Sequence, residues 1–112
     1  MVQSYRDLVV WQKAMDLVIE VYRASQSFSK EELFGLKSQI RRVAVSLPSN
    51  IAEGHQRLSR KEYRYFLSNT RGSLAELETQ VIIASKLEYF TAAESKNLLT
   101  LSAEVGRVLN GS

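Results

Sequence analysis

Apolar residues recur along this chain in alternating steps of three and four, in four separate stretches. No stretch alternates with period two for long enough to form a strand. The first stripe reads Leu8, Trp11, Met15, Val18, Tyr22, and the second Leu33, Leu36, Ile40, Val43, Leu47, Ile51. The third reads Tyr63, Leu67, Thr70, Leu74, Leu77, Val81, Ala84, and the fourth Leu98, Leu101, Val105, Val108. Such spacing keeps one stripe on one face of a helix, as bundle packing requires. Ser29 to Glu32, Ser59 to Glu62 and Thr91 to Glu94 match the capping box, in which hydroxyl and carboxylate each satisfy an orphan amide of the first turn. Helices are predicted at 6–25, 30–54, 60–88 and 92–109. Short connections make neighbours antiparallel, giving an up-down-up-down all-α four-helix bundle. At 112 residues the chain suits one domain, residues 1–112, with a modest core.

Pro48 falls inside the second predicted helix, where it removes a backbone donor and crowds the carbonyl of Ala44. A kink is expected, with Ser46 and Ser49 available to the freed backbone groups. Gly54 reads as a left-handed stop for that helix. On the first helix Val10, Ala14, Leu17 and Val21 make a second stripe, about 110° around from the first. Either neighbouring helices of the same monomer cover both stripes or a second copy covers one. Self-association is the reading taken, with these four residues as the interface.

The chemistry on offer is limited. The chain has no Cys and one His, His55, so neither a thiolate zinc site nor a bundle di-metal site is expected. Gly54 and Gly72 stand alone, with no phosphate-binding loop around them. A Ser-His-Asp set would need His55, which has no orienting acid in view. The longest apolar runs, Leu8 to Trp11 and Val81 to Ala84, are four residues, far short of a membrane span. Residues 1–7 lack a charged segment followed by an apolar core, so no secretory signal is expected and the cytoplasm is the default compartment. No enzyme, no cofactor and no membrane partner are expected.

Charge is unevenly placed. The net charge is +3, but residues 37–71 carry eight cations against Glu53 and Glu62, a block of +6. The cations are Lys37, Arg41, Arg42, Arg57, Arg60, Lys61, Arg64 and Arg71. Arg57, Arg64 and Arg71 are spaced by sevens and share one flank, and Lys37 and Arg41 flank the seam of the second helix. Antiparallel pairing of helices 2 and 3 would merge them into one basic stripe with Tyr63 and Tyr65 nearby. Arg forks suit phosphate, and Tyr stacks on unpaired bases. The alternative is an ordinary solvated flank, paired with acids elsewhere in the bundle.

Several segments resemble a known family in order along nearly the whole chain. They are Leu8-x-x-Trp11-Gln12-Lys13-Ala14, Glu32-Leu33-Phe34-Gly35-Leu36-x-x-Gln39-Ile40-Arg41-Arg42, Ser46-Leu47-Pro48-Ser49-Asn50-Ile51-Ala52-Glu53-Gly54 and Gly72-Ser73-Leu74-x-Glu76-Leu77-Glu78-Thr79. Together they resemble the bacterial four-helix-bundle family of 23S rRNA intervening-sequence proteins, described as ribosomal-protein-like. A related branch is the accessory protein of diversity-generating retroelements, which works with a reverse transcriptase and binds nucleic acid. The resemblance implies a four-helix bundle, assembly as a homopentamer around a channel, and no catalytic activity. It also implies structural or interface roles for Pro48, Asn50, Glu53, Gly54, Ser73, Glu76 and Glu78, with Asn50 and Glu53 within reach of Arg41 or Ser73.

Two functional expectations follow. One is a self-associating bundle that binds structured RNA or DNA through the basic stripe, with five chains at +3 each presenting +15 to a polyanion. The other is an oligomeric protein–protein scaffold, a reverse-transcriptase accessory subunit included, with nucleic-acid binding incidental.

Overall fold

The computed structural model describes residues 4–57 and 59–111. Four long helices account for most of them: α1 Val9–Ser25, α2 Leu36–His55, α3 Arg60–Lys86 and α4 Ala92–Asn110. Each packs against two others, in the cyclic order α1, α2, α3, α4 and back to α1. Cross-helix contacts fix the directions. The Arg41 side chain, early in α2, reaches the end of α1 at Tyr22 and Ser25. Lys13, early in α1, pairs with Glu104, late in α4, and Arg71 in the first half of α3 meets the last residues of α4. The result is the antiparallel bundle expected from the spacing, 43 × 24 × 19 Å across. Its long axis matches α3, whose 27 residues span about 40 Å.

Two helix starts differ from expectation. The first helix breaks at Leu8, which is extended, so a 3₁₀ turn at Tyr5–Asp7, boxed by Ser4 and Asp7, precedes α1. Ser29 makes no capping bond. The segment it opens is a single 3₁₀ turn, Lys30–Glu32, because Glu32 is drawn elsewhere. One Glu32 carboxylate oxygen accepts the Leu36 amide at 3.2 Å and so caps α2. The other accepts the Tyr89 hydroxyl at 3.2 Å. Burial, followed by the Glu32 charge, raises that phenol above its ordinary pKa. The corner also buries Phe28, whose ring lies 5.3 Å from that of Tyr89 and 4.9 Å from that of Phe90. The Ser59 hydroxyl caps α3 by accepting the Glu62 amide, and the Thr91–Glu94 box at α4 is complete. The third helix closes at Lys86, two residues early, and Glu88 turns the chain with φ 64°.

The faces of α2 and α3 match the sequence pattern except at their starts, where Leu33 is exposed ahead of α2 and Leu36 and Tyr63 are half-buried. Ile40, Val43, Leu47 and Ile51 are buried, as are Leu67, Thr70, Leu74, Leu77, Val81 and Ala84. The faces of α1 and α4 match only in part, with Val18, Leu98 and Val105 buried as expected. Val10, Ala14, Leu17 and Val21, expected at an interface with a second copy, lie in the monomer's own core, the last three with no exposed surface. They sit under α2 and α4 together, so they are unavailable to another chain. Of the stripe expected to face the core, Val18 is buried, Leu8, Trp11 and Met15 are half-buried and Tyr22 is exposed. In α4 the buried line is Ser95, Leu98, Ser102, Val105 and Leu109, with Leu101 and Val108 at its edge.

α2 runs through Pro48, which is buried, and on to His55. The Ser46 hydroxyl donates to the Val43 carbonyl at 2.6 Å rather than to that of Ala44, and Ser49 is exposed. Gly54 is not a left-handed stop; it is helical and buried. A Cβ there would stand 2.7 Å from the Phe66 Cβ. Its missing side chain is what lets α2 and α3 close on one another near their shared turn.

Candidate nucleic-acid interface

The eight cations of the central block divide into two groups by what their side chains touch. Three are engaged within the monomer. The Arg41 guanidinium donates to the Ser25 hydroxyl at 2.8 Å and the Tyr22 carbonyl at 3.0 Å, and lies 4.4 Å from the centre of the Tyr22 ring. It neutralises carbonyl charge at the end of α1, where a cation is favoured. Arg71 does the same for α4, donating to the Leu109 carbonyl at 3.2 Å and the Asn110 side chain at 3.1 Å. Arg57 pairs with Glu53 at 2.9 Å and stacks 4.9 Å over the Phe66 ring.

The other five, Lys37, Arg42, Arg60, Lys61 and Arg64, form no ion pair with any described residue, and all but Lys37 are exposed. The continuous stripe expected on helices 2 and 3 is therefore broken. Arg41 is turned toward α1 and Arg71 toward α4, the two helices that pack against the α2–α3 pair. What the fold gathers is a compact basic end, with Arg57, Arg60, Lys61 and Arg64 within eight residues at the α2–α3 turn. Because α4 ends level with Arg71, the first three turns of α3 stand beyond it, paired with the last turns of α2.

The clefts at this end have distinct linings. One of about 500 Å³ is bounded by Arg57, Ser59, Lys61, Glu62, Tyr65 and Phe66. A neighbour of about 270 Å³ is bounded by His55, Arg57, Ser59, Arg60 and Tyr63. The His55 Nδ1 is buried and has no hydrogen-bond partner among the described residues. Phe66, which roofs the turn, had no sequence signal of its own; the helical glycine opposite it was the available clue.

A third cleft, about 430 Å³, runs between α2 and α3 and is lined by Gln39, Arg42, Val43, Ser46, Ser73 and Glu76. It brings together three of the motif segments quoted above, through Gln39 and Arg42, Ser46, and Ser73 and Glu76. Glu76 accepts from the Gln80 amide at 3.2 Å. Ser73 and Glu78 are half-buried, as is Asn50. Glu53 is taken by Arg57 and Arg41 by α1, and because Arg41 and Glu53 both lie on α2 the expected pairing between them is not made. Among the described residues no group of three or more His, Asp or Glu side chains is placed to hold a metal ion. No described helix is long and apolar enough to cross a membrane.

Comparison with known proteins agrees with this architecture. No curated protein matches the chain. A crystal structure of a protein of unknown function from the S23 ribosomal protein family of Bacteroides thetaiotaomicron superposes with a TM-score of 0.84 at 22% identity. The match covers 92% of this chain and 96% of that one, and at such identity it speaks for the fold. The family model described as 23S rRNA-intervening sequence protein matches residues 6–111. The chain belongs to the 23S rRNA-intervening sequence protein family.

Proposed function

We propose that this protein is a non-catalytic bundle that binds structured nucleic acid, RNA above DNA, through the basic end formed by the α2–α3 turn. The observation that carries the reading is the state of Arg60, Lys61 and Arg64. All three are exposed and have no ion pair with a described residue, at an end where Glu53 is already matched by Arg57. Cations held this way leave their counterions to be displaced by phosphate, which gives polyanion binding its steep salt dependence. The family name adds an association with rRNA genes, and the proposal extends it to this chain's own surface.

Fluorescence anisotropy with a labelled structured RNA and a matched duplex DNA, each at about 50 and 200 mM salt, tests it. Submicromolar RNA binding that weakens with salt and keeps its preference over DNA supports the proposal. Replacing Arg60, Lys61 and Arg64 by Glu together is expected to abolish that binding while circular dichroism stays helical. Equal, weak binding of both nucleic acids that vanishes at the higher salt refutes a specific role.

A second reading, an oligomeric scaffold that docks partner proteins, has its own observation. Phe34 is 91% exposed beside the exposed Leu33, and Ile82, Ile83 and Val45 are also open to solvent. Assembly, a pentamer by family resemblance, would place part of this surface between subunits. Light scattering at micromolar concentration distinguishes the readings. A monomer removes the scaffold, whereas a Phe34→Ser variant that falls apart while still binding RNA separates assembly from nucleic-acid recognition.

A further inference from the structure

We propose that the 500 Å³ cleft on the outer side of the α2–α3 end is a site for one unpaired nucleotide, its base stacked on Tyr65 and its phosphate held by Lys61. The assignment rests on the nucleic-acid reading above and sharpens it from a charged surface to a pocket with a defined occupant.

Tyr65 is 62% exposed, yet it lines a cleft of the size that small ligands occupy. Phe66 meets it at right angles, with ring centres 5.6 Å apart and planes at 87°, so Phe66 covers one side of it at most. An aromatic ring held open to water in a walled cleft offers a stacking surface, and every base has a face to lay on it. Lys61 lies one helical turn before Tyr65, so the two side chains are neighbours on one face. Lys61 has no ion pair with a described residue and can receive a phosphate.

The remaining walls suit the same occupant. The Arg57 guanidinium is fixed by Glu53 and by the Phe66 ring, which makes it a rigid wall rather than a searching cation. Glu62 contributes a carboxylate that repels phosphate from its own side of the cleft. The same carboxylate accepts from the amino and imino donors of a base edge. The cleft therefore has a phosphate side, a base side and a stacking platform. Paired bases are stacked on one another and cannot reach such a ring, so the occupant is a nucleotide from a loop, bulge or single-stranded end.

The test compares a labelled RNA hairpin carrying a single-stranded loop with a fully paired RNA duplex of the same length, using the full chain at about 50 mM salt. The hairpin is expected to bind more tightly. Tyr65→Ala is expected to weaken the hairpin about tenfold or more and to leave the duplex unchanged, and Tyr65→Trp to keep hairpin affinity. Lys61→Gln is expected to weaken both and to lower the salt slope by about one. Equal binding of hairpin and duplex, insensitive to Tyr65→Ala, overturns the pocket and leaves the charged-surface reading standing. No binding of either RNA overturns both. Tighter binding of a phosphoserine peptide than of the hairpin overturns the assignment in favour of a phosphoprotein partner.

Discussion

Two glycines in the family-like segments do opposite things. A Cβ at Gly54 would collide with the Phe66 Cβ, an atom tied to backbone that cannot swing away, whereas a Cβ at Gly72 meets nothing within 4 Å. Gly54→Ala is therefore expected to destabilise by about 1–2 kcal/mol, because overpacking outweighs the gain in helix propensity. Gly72→Ala is expected to stabilise by about 0.5–1 kcal/mol, since an exposed helical glycine costs that much relative to alanine. Urea denaturation of the two variants checks the signs side by side. Ser102 is a third case. Its hydroxyl is buried on the core line of α4 with no hydrogen-bond partner among the described residues. Ser102→Ala is expected to raise stability by about 1 kcal/mol, read from the same denaturation curves.

At the level of the helices, the end of α3 carries a correctable strain. Glu88 holds a left-handed backbone, φ 64°, where the Tyr89 amide returns to the Ala84 carbonyl at 2.8 Å. Glycine adopts that conformation freely, so Glu88→Gly is expected to stabilise by about 0.5–1 kcal/mol and to raise the melting temperature in a calorimetric scan. The same scale shows what the sequence made legible. The caps at Ser59 and Thr91 and the seams of α2 and α3 could be read because they depend on neighbours three or four residues away. The seams of α1 and α4 are legible only in part, at Val18, Leu98 and Val105, because small residues such as Ala14, Ser95 and Ser102 share the buried lines with bulky ones. Ser95 and Ser102 lie inside while Leu101 lies at the rim. Which face turns inward depends on packing against two other helices, and a single helix pattern does not encode that. The basic block was plain in the sequence, but the partners that remove Arg41 and Arg71 from it sit 16 and 39 residues away.

For the molecule as a whole, charge and shape point to the same end. The net charge is only +3, so long-range attraction for a polyanion depends on where charge is concentrated rather than on its total. With Arg41 and Arg71 committed to helix ends, reversing either one is expected to lower thermal stability, whereas reversing Arg60, Lys61 and Arg64 is expected to leave it unchanged. Melting curves recorded beside the anisotropy titrations check that separation. The unequal helix lengths have a dynamic consequence. Beyond Arg71 the bundle loses α4, so fewer apolar contacts guard the backbone hydrogen bonds at the start of α3. Amides of residues 60–70 are expected to exchange with deuterium sooner than those around Leu77, through local opening that leaves the rest folded. A nucleic acid seated there would slow that exchange selectively, so its footprint would be visible in amides even where the melting temperature barely moves.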